Sequence, residues 1–373
     1  MPILLEKPVT ATVAEAQRLA ALAERSGARV LVGHHRAHSP IMARAAALIA
    51  QGRLGRLVAV TGAALFYKPD AYFEEGPWRR EAGGGPILLN MIHEVHNLRM
   101  LCGDIVAVQA FASHATRGFA VEDTVAINLR FASGALGSFV LSDTAASARS
   151  WEQTSQENKA YASYEDEDCY LVAGTFGSLA IPSMRLKTYA SAGKRSWNEP
   201  FDLDVAAVER EDPLVRQMAH FAQVARGLAQ PLVSVHDGLR NLQITEAIAE
   251  AARMGAAIDT PQRDPDTTGA PSSIHDIKPR SHHEKDPDAA RHQPQHVRPA
   301  RPCPIRHGHA GRDRRLAAQP GQPAGLRGGQ LPDQLRRRHV RSHPPGLSGR
   351  RRWRAHQRRR LDALQLRLSL IHI

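Results

Sequence analysis

The stretch PILLEKPVTATVAEAQRLAALAERSGARVLV, residues 2–32, decides the fold class. Residues 2–5 are a short apolar run of the length of a buried strand, and residues 28–32 are a second. Between them Thr12 and Glu15 stand three apart, the spacing of a capping box. They open an Ala/Leu-rich helix reaching about Arg25, which Gly27 closes. Strand, helix and strand in so short a span imply a parallel α/β layer. The first strand runs straight into Glu6-Lys7-Pro8. A lysine there, with its backbone fixed by proline, stands at a sheet's carboxyl edge, where α/β proteins hold ligands. The alternative is a surface lysine beside a turn.

The second strand ends in Gly33-His34-His35-Arg36-Ala37-His38-Ser39-Pro40. Ser39 as N-cap and Pro40 at the first helical position start a helix to about Gln51. His35, Arg36 and His38 at this strand-to-helix crossing suit an anionic or hydroxyl-rich ligand. A metal is the alternative, although no carboxylate or cysteine lies beside them in the sequence. Next come a strand over residues 57–67 and a loop over residues 68–85. That loop carries Tyr72, Phe73, Trp78, Arg79 and Arg80, an aromatic and cationic mix able to close over a site or to serve as ordinary surface.

Residues 83–102 read GGGPILLNMIHEVHNLRMLC. Ile87, Leu88, Met91, Val95, Leu98 and Leu101 form a stripe for burial on a helix. Asn90, His93 and His96 lie three apart and Asn97 is four beyond His93, which predicts one polar ridge on a neighbouring face. Imidazoles flanked by amides on an apolar helix can move protons; the alternative is a partly exposed polar face. Beyond it strands are expected over residues 105–113, 124–131, 136–142, 169–173, 177–181 and 186–190, with a hairpin turn at 132–135. Residues 151–168 read as a loop over the sheet's edge, and residues 213–228 and 237–254 as helices. The body is thus an α/β fragment over residues 1–50 followed by an α+β unit over residues 51–262.

The net charge of +12 and sequence pI near 10.2 suggest a nucleic-acid binder, but the charge is not spread evenly. From Asp264 onward there are 23 Lys plus Arg against 9 Asp plus Glu, which leaves residues 1–263 at about −2. Residues 263–373 are crowded with Pro, His, Gln and Gly and hold Trp353 as their sole aromatic, so this basic tail is expected to be disordered. Phosphate contacts through the arginines of 336–338 and 350–360 would be non-specific without stacking aromatics. Cys102, Cys169 and Cys303 show no metal spacing, and no secretory signal or membrane-length apolar run is present, so a cytoplasmic setting is expected. His93-Glu94-Val95-His96 is one residue short of the zinc-peptidase motif H-E-x-x-H.

Glu6-Lys7-Pro8, Gly33 with Pro40, the glycine-led helix bearing His93, and the closing HDGLRNLQITEAIAEAARMG occur in that order. Together they resemble the glucose–fructose oxidoreductase/inositol dehydrogenase (Gfo/Idh/MocA) family over roughly residues 2–262. The resemblance implies a Rossmann domain binding NAD or NADP, then an α+β domain with an open, mainly antiparallel sheet. It implies hydride transfer to or from a sugar, cyclitol or related polyol. It places Glu6, Lys7 and Pro8 at the cofactor and Lys7 and His93 at the reacting carbon, with Asn90 orienting His93. His35, Arg36, His38, His96, Asn97 and Trp78 are the expected substrate contacts, and no metal is expected. A homo-oligomer, dimer or tetramer, formed through the sheet is expected, with no specific nucleic acid and no membrane partner. Leu89 and His96 depart from the pattern, since the family usually carries aspartates there.

The chemistry fits those residue types. Oxidation of a secondary alcohol needs a base for the hydroxyl proton while hydride leaves, and a neutral imidazole near pH 7 serves. A nearby ammonium favours the neutral ring and can hydrogen-bond the alkoxide. The family's Gly-rich phosphate loop and ribose carboxylate should precede Glu6, and no G-x-G-x-x-G occurs in the sequence. The reading is therefore of a truncated or mis-started frame that holds nicotinamide dinucleotides weakly and is inactive as written, with a frameshifted tail. A non-catalytic sugar-binding relative is the alternative.

Overall fold

The computed structural model describes residues 1–261. The expected basic tail of residues 263–373 lies outside the described residues. β1 (Pro2–Leu5) and β2 (Arg29–Val32) pair in parallel, with Ile3 opposite Val30 and Leu5 opposite Val32. α1 (Val13–Ser26) crosses between them. Its capping box is formed: the Thr12 hydroxyl accepts from the Glu15 amide, and the Glu15 carboxylate accepts from the Thr12 amide at 3.1 Å. After β2 the chain makes a 3-10 turn over His35–His38, then enters α2 (Pro40–Ala50). The Ser39 hydroxyl accepts from the Ile41 and Met42 amides there, at 3.1 and 3.3 Å.

The strand β3 (Leu57–Leu65) leads into α3 (Asp70–Glu75) and a 3-10 turn over Pro77–Arg80. The glycine-led stretch does not begin as an α-helix. Ile87–Met91 is a π-helical turn, and α4 (Ile92–Cys102) follows it. β4 (Ile105–Ser113), β5 (Thr124–Phe131) and β6 (Leu136–Ser142) form a meander closed by the expected turn. Residues 151–168, expected to be loop throughout, contain a short helix α5 (Trp151–Thr154), capped by the Ser150 hydroxyl. β7 (Tyr170–Gly174), β8 (Gly177–Ile181), β9 (Arg185–Thr188) and β10 (Asp202–Val205) continue the sheet. The last elements are α6 (Pro213–Arg226), α7 (Val235–Met254) and β11 (Ile258–Asp259). α7 starts two residues before its expected start. Asp237 is not the cap but the third residue of a box whose cap is Ser234.

The large sheet has nine strands in the order β10-β9-β8-β7-β3-β6-β5-β4-β11. Every pairing is antiparallel except β3 with β6. One face packs beneath α2, α4 and α7 and carries the main core, including Leu48, Met91, Leu98, Phe139, Tyr170 and Ile248. The register puts Phe111, Leu136, Val140, Leu171, Leu203 and Val205 together on the opposite face, and all six are exposed. A second core around Leu5, Ala20, Leu31, Val32, Phe221 and Leu242 joins β1 and β2 to α1, α6 and α7. α7 therefore contributes to both cores.

Candidate active site

The carboxyl ends of β1 and β2 meet α4, and this junction collects the titratable side chains. Lys7 leaves the end of β1, and its Nζ donates to the Leu89 carbonyl in the π-helical turn at 3.0 Å. His34 and His35 leave the end of β2, while His93 and His96 come from α4. The His93 ring lies edge-on to His35 at 5.2 Å and to His34 at 5.7 Å. His34 and His96 are stacked at 4.8 Å, their planes 19° apart. His34, His93 and His96 are buried, and His93 Nδ1 has no hydrogen-bond partner among the described residues. From α7, Asn241 Nδ2 reaches His96 Nδ1 at 3.0 Å and His34 Nε2 at 3.2 Å.

Burial sets the electrostatics here. It pushes the His93 pKa well below the usual imidazole range, and the positive charges of Lys7 and Arg36 push the same way. His34 behaves alike through burial, then His96 and Lys7. Burial also takes His35 and His96 down to about 4. The Lys7 ammonium is itself lowered by burial and by Arg36, while Glu6 opposes. The centre thus sets half-buried Lys7 beside imidazoles held in the neutral form, and among the described residues no carboxylate acts on the His93 ring. That is a proton acceptor next to a cation able to hold an oxyanion.

The expected polar ridge on α4 splits into separate uses, because the π-helical turn changes the phase of the helix. Asn90 does not orient His93. Its Oδ1 accepts from Lys68 Nζ at 2.8 Å, about one helical turn before His93. Lys68 lies 3.7 Å from Asp143 and 4.9 Å above the Tyr72 ring, and burial lowers its pKa to about 8. Asn97, expected at the substrate, is fully buried and donates to the Tyr170 hydroxyl at 3.0 Å. Arg36, also expected at the substrate, is buried between two carboxylates. It pairs with Glu94 at 2.5 Å and with Glu152, and Glu94 in turn accepts from Tyr170. His38 turns away toward α6, 5.2 Å from the His220 ring. Trp78 is half exposed, with the Arg79 guanidinium 5.5 Å from its ring.

Glu6 lies against Gly33, where an added Cβ would come within 3.0 Å of its carboxyl, so the ends of β1 and β2 are in close contact. Beside Lys68 opens a cleft of about 360 Å³ lined by Tyr67, Phe73, Arg80, Arg117 and Phe119 among others. Among the described residues no group of His, Cys, Asp and Glu side chains converges as a metal site. No helix of the described residues is long and apolar enough to cross a membrane. Lys68, Glu94, Arg99, Glu152, Tyr170 and Asn241 were not legible as members of this region. Asn241 lay within the closing motif, which was the one available signal.

Comparison with known proteins gives consistent matches. The family model described as GFO/IDH/MocA C-terminal domain matches residues 42–180. The model described as oxidoreductase family, NAD-binding Rossmann fold, matches residues 1–34. The chain is 26% identical over 261 residues to 1,5-anhydro-D-fructose reductase of Ensifer adhaerens, covering 69% of this chain and 72% of that protein. Its fold is similar to that of WlbA dehydrogenase from Bordetella pertussis, solved in complex with NADH and UDP-GlcNAcA. The TM-score is 0.53 at 22% identity, over 70% of this chain and 72% of that one. It is similar also to aldose-aldose oxidoreductase from Caulobacter crescentus complexed with glycerol, with TM-score 0.52 at 24% identity, over 69% and 71%.

Proposed function

The chain belongs to the Gfo/Idh/MocA oxidoreductases, and from that premise we propose that it transfers hydride between a nicotinamide dinucleotide and a sugar, cyclitol or related polyol. The carrying observation is half-buried Lys7 beside neutral His93, where two parallel strands end. The names of the similar proteins, a reductase of an anhydro sugar and a dehydrogenase holding a nucleotide sugar, support the substrate class.

The residues present fit the nicotinamide end of NAD or NADP. Glu6, Lys7 and Pro8 border that end, and the buried His93 Nδ1 is unpartnered among the described residues. The described residues contain no strand that passes through a glycine-rich turn into a helix, so nothing among them is assigned to the pyrophosphate. Bound dinucleotide supplies the hydride acceptor or donor. In the oxidising direction His93 accepts the hydroxyl proton through its neutral ring, and Lys7 donates a hydrogen bond to the oxygen that becomes negative. In the reducing direction the proton returns from His93 to that oxygen. Lys68 and Asn90, one helical turn away, contact hydroxyls further along the substrate. His35 lies beside His93 at the same centre.

Residues 1–50 serve as the cofactor-facing unit and residues 51–262 as the unit that holds substrate. The exposed apolar face of the large sheet pairs with that of a second copy. The test of the activity is a panel of keto sugars and polyols with NAD(P)(H) at millimolar concentration, followed at 340 nm. Turnover that falls roughly 10²–10⁴-fold in His93→Ala, at unchanged folded content, is the expected result. Near wild-type turnover in that variant ends the reading.

A further inference from the structure

The chemistry of four side chains fixes a protonation pattern at this site. Arg99 Nη1 lies 2.7 Å from Asn241 Oδ1. A guanidinium can only donate, so the amide atom facing it must be the oxygen. The NH2 of Asn241 is then the group facing His34 Nε2 and His96 Nδ1, and an amide NH2 can only donate. Each of those ring nitrogens must therefore be a lone pair. The proton of His34 sits on Nδ1 and that of His96 on Nε2. Those are the atoms left without a partner among the described residues. Neither ring can become an imidazolium without losing its bond to Asn241.

We propose that Asn241, oriented by Arg99, is a positioning residue that holds His34 and His96 as neutral rings of fixed tautomer beneath His93. The arrangement is anchored on several sides. Arg99 also pairs with Asp104 at 3.0 Å and approaches Asp237 at 3.8 Å, so its own direction is set. Asn241 is completely buried, and its backbone carbonyl accepts from the Thr245 hydroxyl at 2.7 Å. The charged and titratable groups facing the stacked pair are Lys7 from the end of β1 and His35 from the end of β2. Arg99 and His93 face it from α4 and Asp237 from α7, while His38, turned toward α6, acts on His96 only through the effect of its charge. The pair thus adds no charge beside His93, whose ring meets His34 edge-on at 5.7 Å. The consequence for turnover rests on the oxidoreductase reading; the tautomers do not.

The test is 15N–1H long-range correlation NMR on protein labelled at histidine, with signals assigned by His34→Gln and His96→Gln. The expected spectrum shows His34 as the Nδ1–H tautomer and His96 as the Nε2–H tautomer, both unprotonated at pH 6. In Asn241→Asp the donor becomes an acceptor. Both tautomers should reverse or both rings should protonate, with His96 titrating at least about one unit higher. Opposite or exchanging tautomers in the wild type overturn the proposal, and so does a variant spectrum equal to the wild type. The wild-type spectrum decides even where the variant does not fold. Arg99→Lys, which still donates, should keep the wild-type pattern, and Arg99→Leu should lose it. Where turnover is measurable, Asn241→Asp should lower kcat and displace its pH profile with little change in KM. Fixed tautomers in a protein that turns over no sugar uphold the lock and end the functional reading alone.

Discussion

Lys7 Nζ donates to the backbone carbonyl of Leu89 across 82 residues of sequence, at 3.0 Å. The bond ties the end of β1 to the π-helical turn that leads into α4. It uses a main-chain oxygen, which has no charge to neutralise the ammonium. The bond therefore leaves the charge of Lys7 unpaired and two of its N–H donors unused.

Replacing Lys7 by Met should act on both rate and pH dependence. The neighbouring cation is part of what holds the His93 pKa down, so its removal raises that pKa. A reaction that needs the neutral ring then loses activity at a higher pH on the acid side. The measurement is kcat/KM against pH for wild type and Lys7→Met. An acid limb that stays in place while the rate falls would separate oxyanion binding from any effect of Lys7 on His93.

Arg36 should prove a stability residue. It sits between Glu94 and Glu152 with its side chain almost wholly buried. Although burial alone raises the Glu152 pKa, Arg36 brings it below the usual carboxylate range. Arg36→Met leaves two carboxylates facing one another, and breaking such a buried arrangement costs about 3–5 kcal/mol. Denaturant unfolding checks this, and a loss under about 1 kcal/mol would place the pair in the solvated class.

Acid should destabilise the fold from about pH 6.5 downward. His34, His35, His38, His93 and His96 all have folded pKa values depressed by burial, with His35, His38 and His96 at about 4. Unfolded, they bind protons near 6.5, so the unfolded state holds more protons between the two values and stability falls with pH. Glu157 works against this, since burial raises it to about 7 and its contribution is lost as pH rises through that value. Thermal melts from pH 7 to pH 4.5 should show Tm falling with net proton uptake. Calorimetry in buffers of different ionisation enthalpy gives the sign directly.

Gly238→Ala should destabilise, although alanine is ordinarily the better helix residue by about 1 kcal/mol. Gly238 lies within α7, and an added Cβ would come within 2.3 Å of Val9 Cγ1 and 3.2 Å of Val32 Cγ2. Both valines are buried in the smaller core, so the methyl has no room. Overpacking of this kind costs about 1–3 kcal/mol. A variant as stable as the wild type would show that α7 can move off the β1–α1 connection.

The exposed apolar face of the sheet should carry self-association. Val140→Lys and Leu171→Lys place charges on that face, one on each side of β3, without touching either core. Sedimentation velocity should then show a shift to the smaller species at equal folded content. An unchanged distribution would remove the sheet as the interface.

Local signals carried much of the architecture into the sequence. Thr12 with Glu15, Ser39 with Pro40, and the turns at Gly27 and Gly255 each announce an element by its own short-range chemistry, and the elements lie there. The meander of β4, β5 and β6 was legible to the residue, because alternation and turn composition are local too. What escaped depends on distance. The π-helical turn at Ile87–Met91 has no compositional mark, yet it decides that Asn90 goes to Lys68 and Asn97 to Tyr170. Glu94 sits beside His93 in the sequence and drew no structural role there, because its partners Arg36 and Tyr170 lie 58 and 76 residues away. The parallel pairing of β3 with β6 is likewise a crossover that no local pattern specifies.

Asn241 lies on the last helix before the end of the described body, and this sets an order of events during synthesis. His34 leaves the ribosome first and His96 some sixty residues later, but neither has its hydrogen-bond donor until Asn241 emerges. Until then water stands in for that donor, and α7 is missing from both cores. A nascent chain stopped short of residue 241 holds Lys7 and His93 yet lacks the group that sets the rings beneath them. The proposed centre is therefore complete only once α7 has docked.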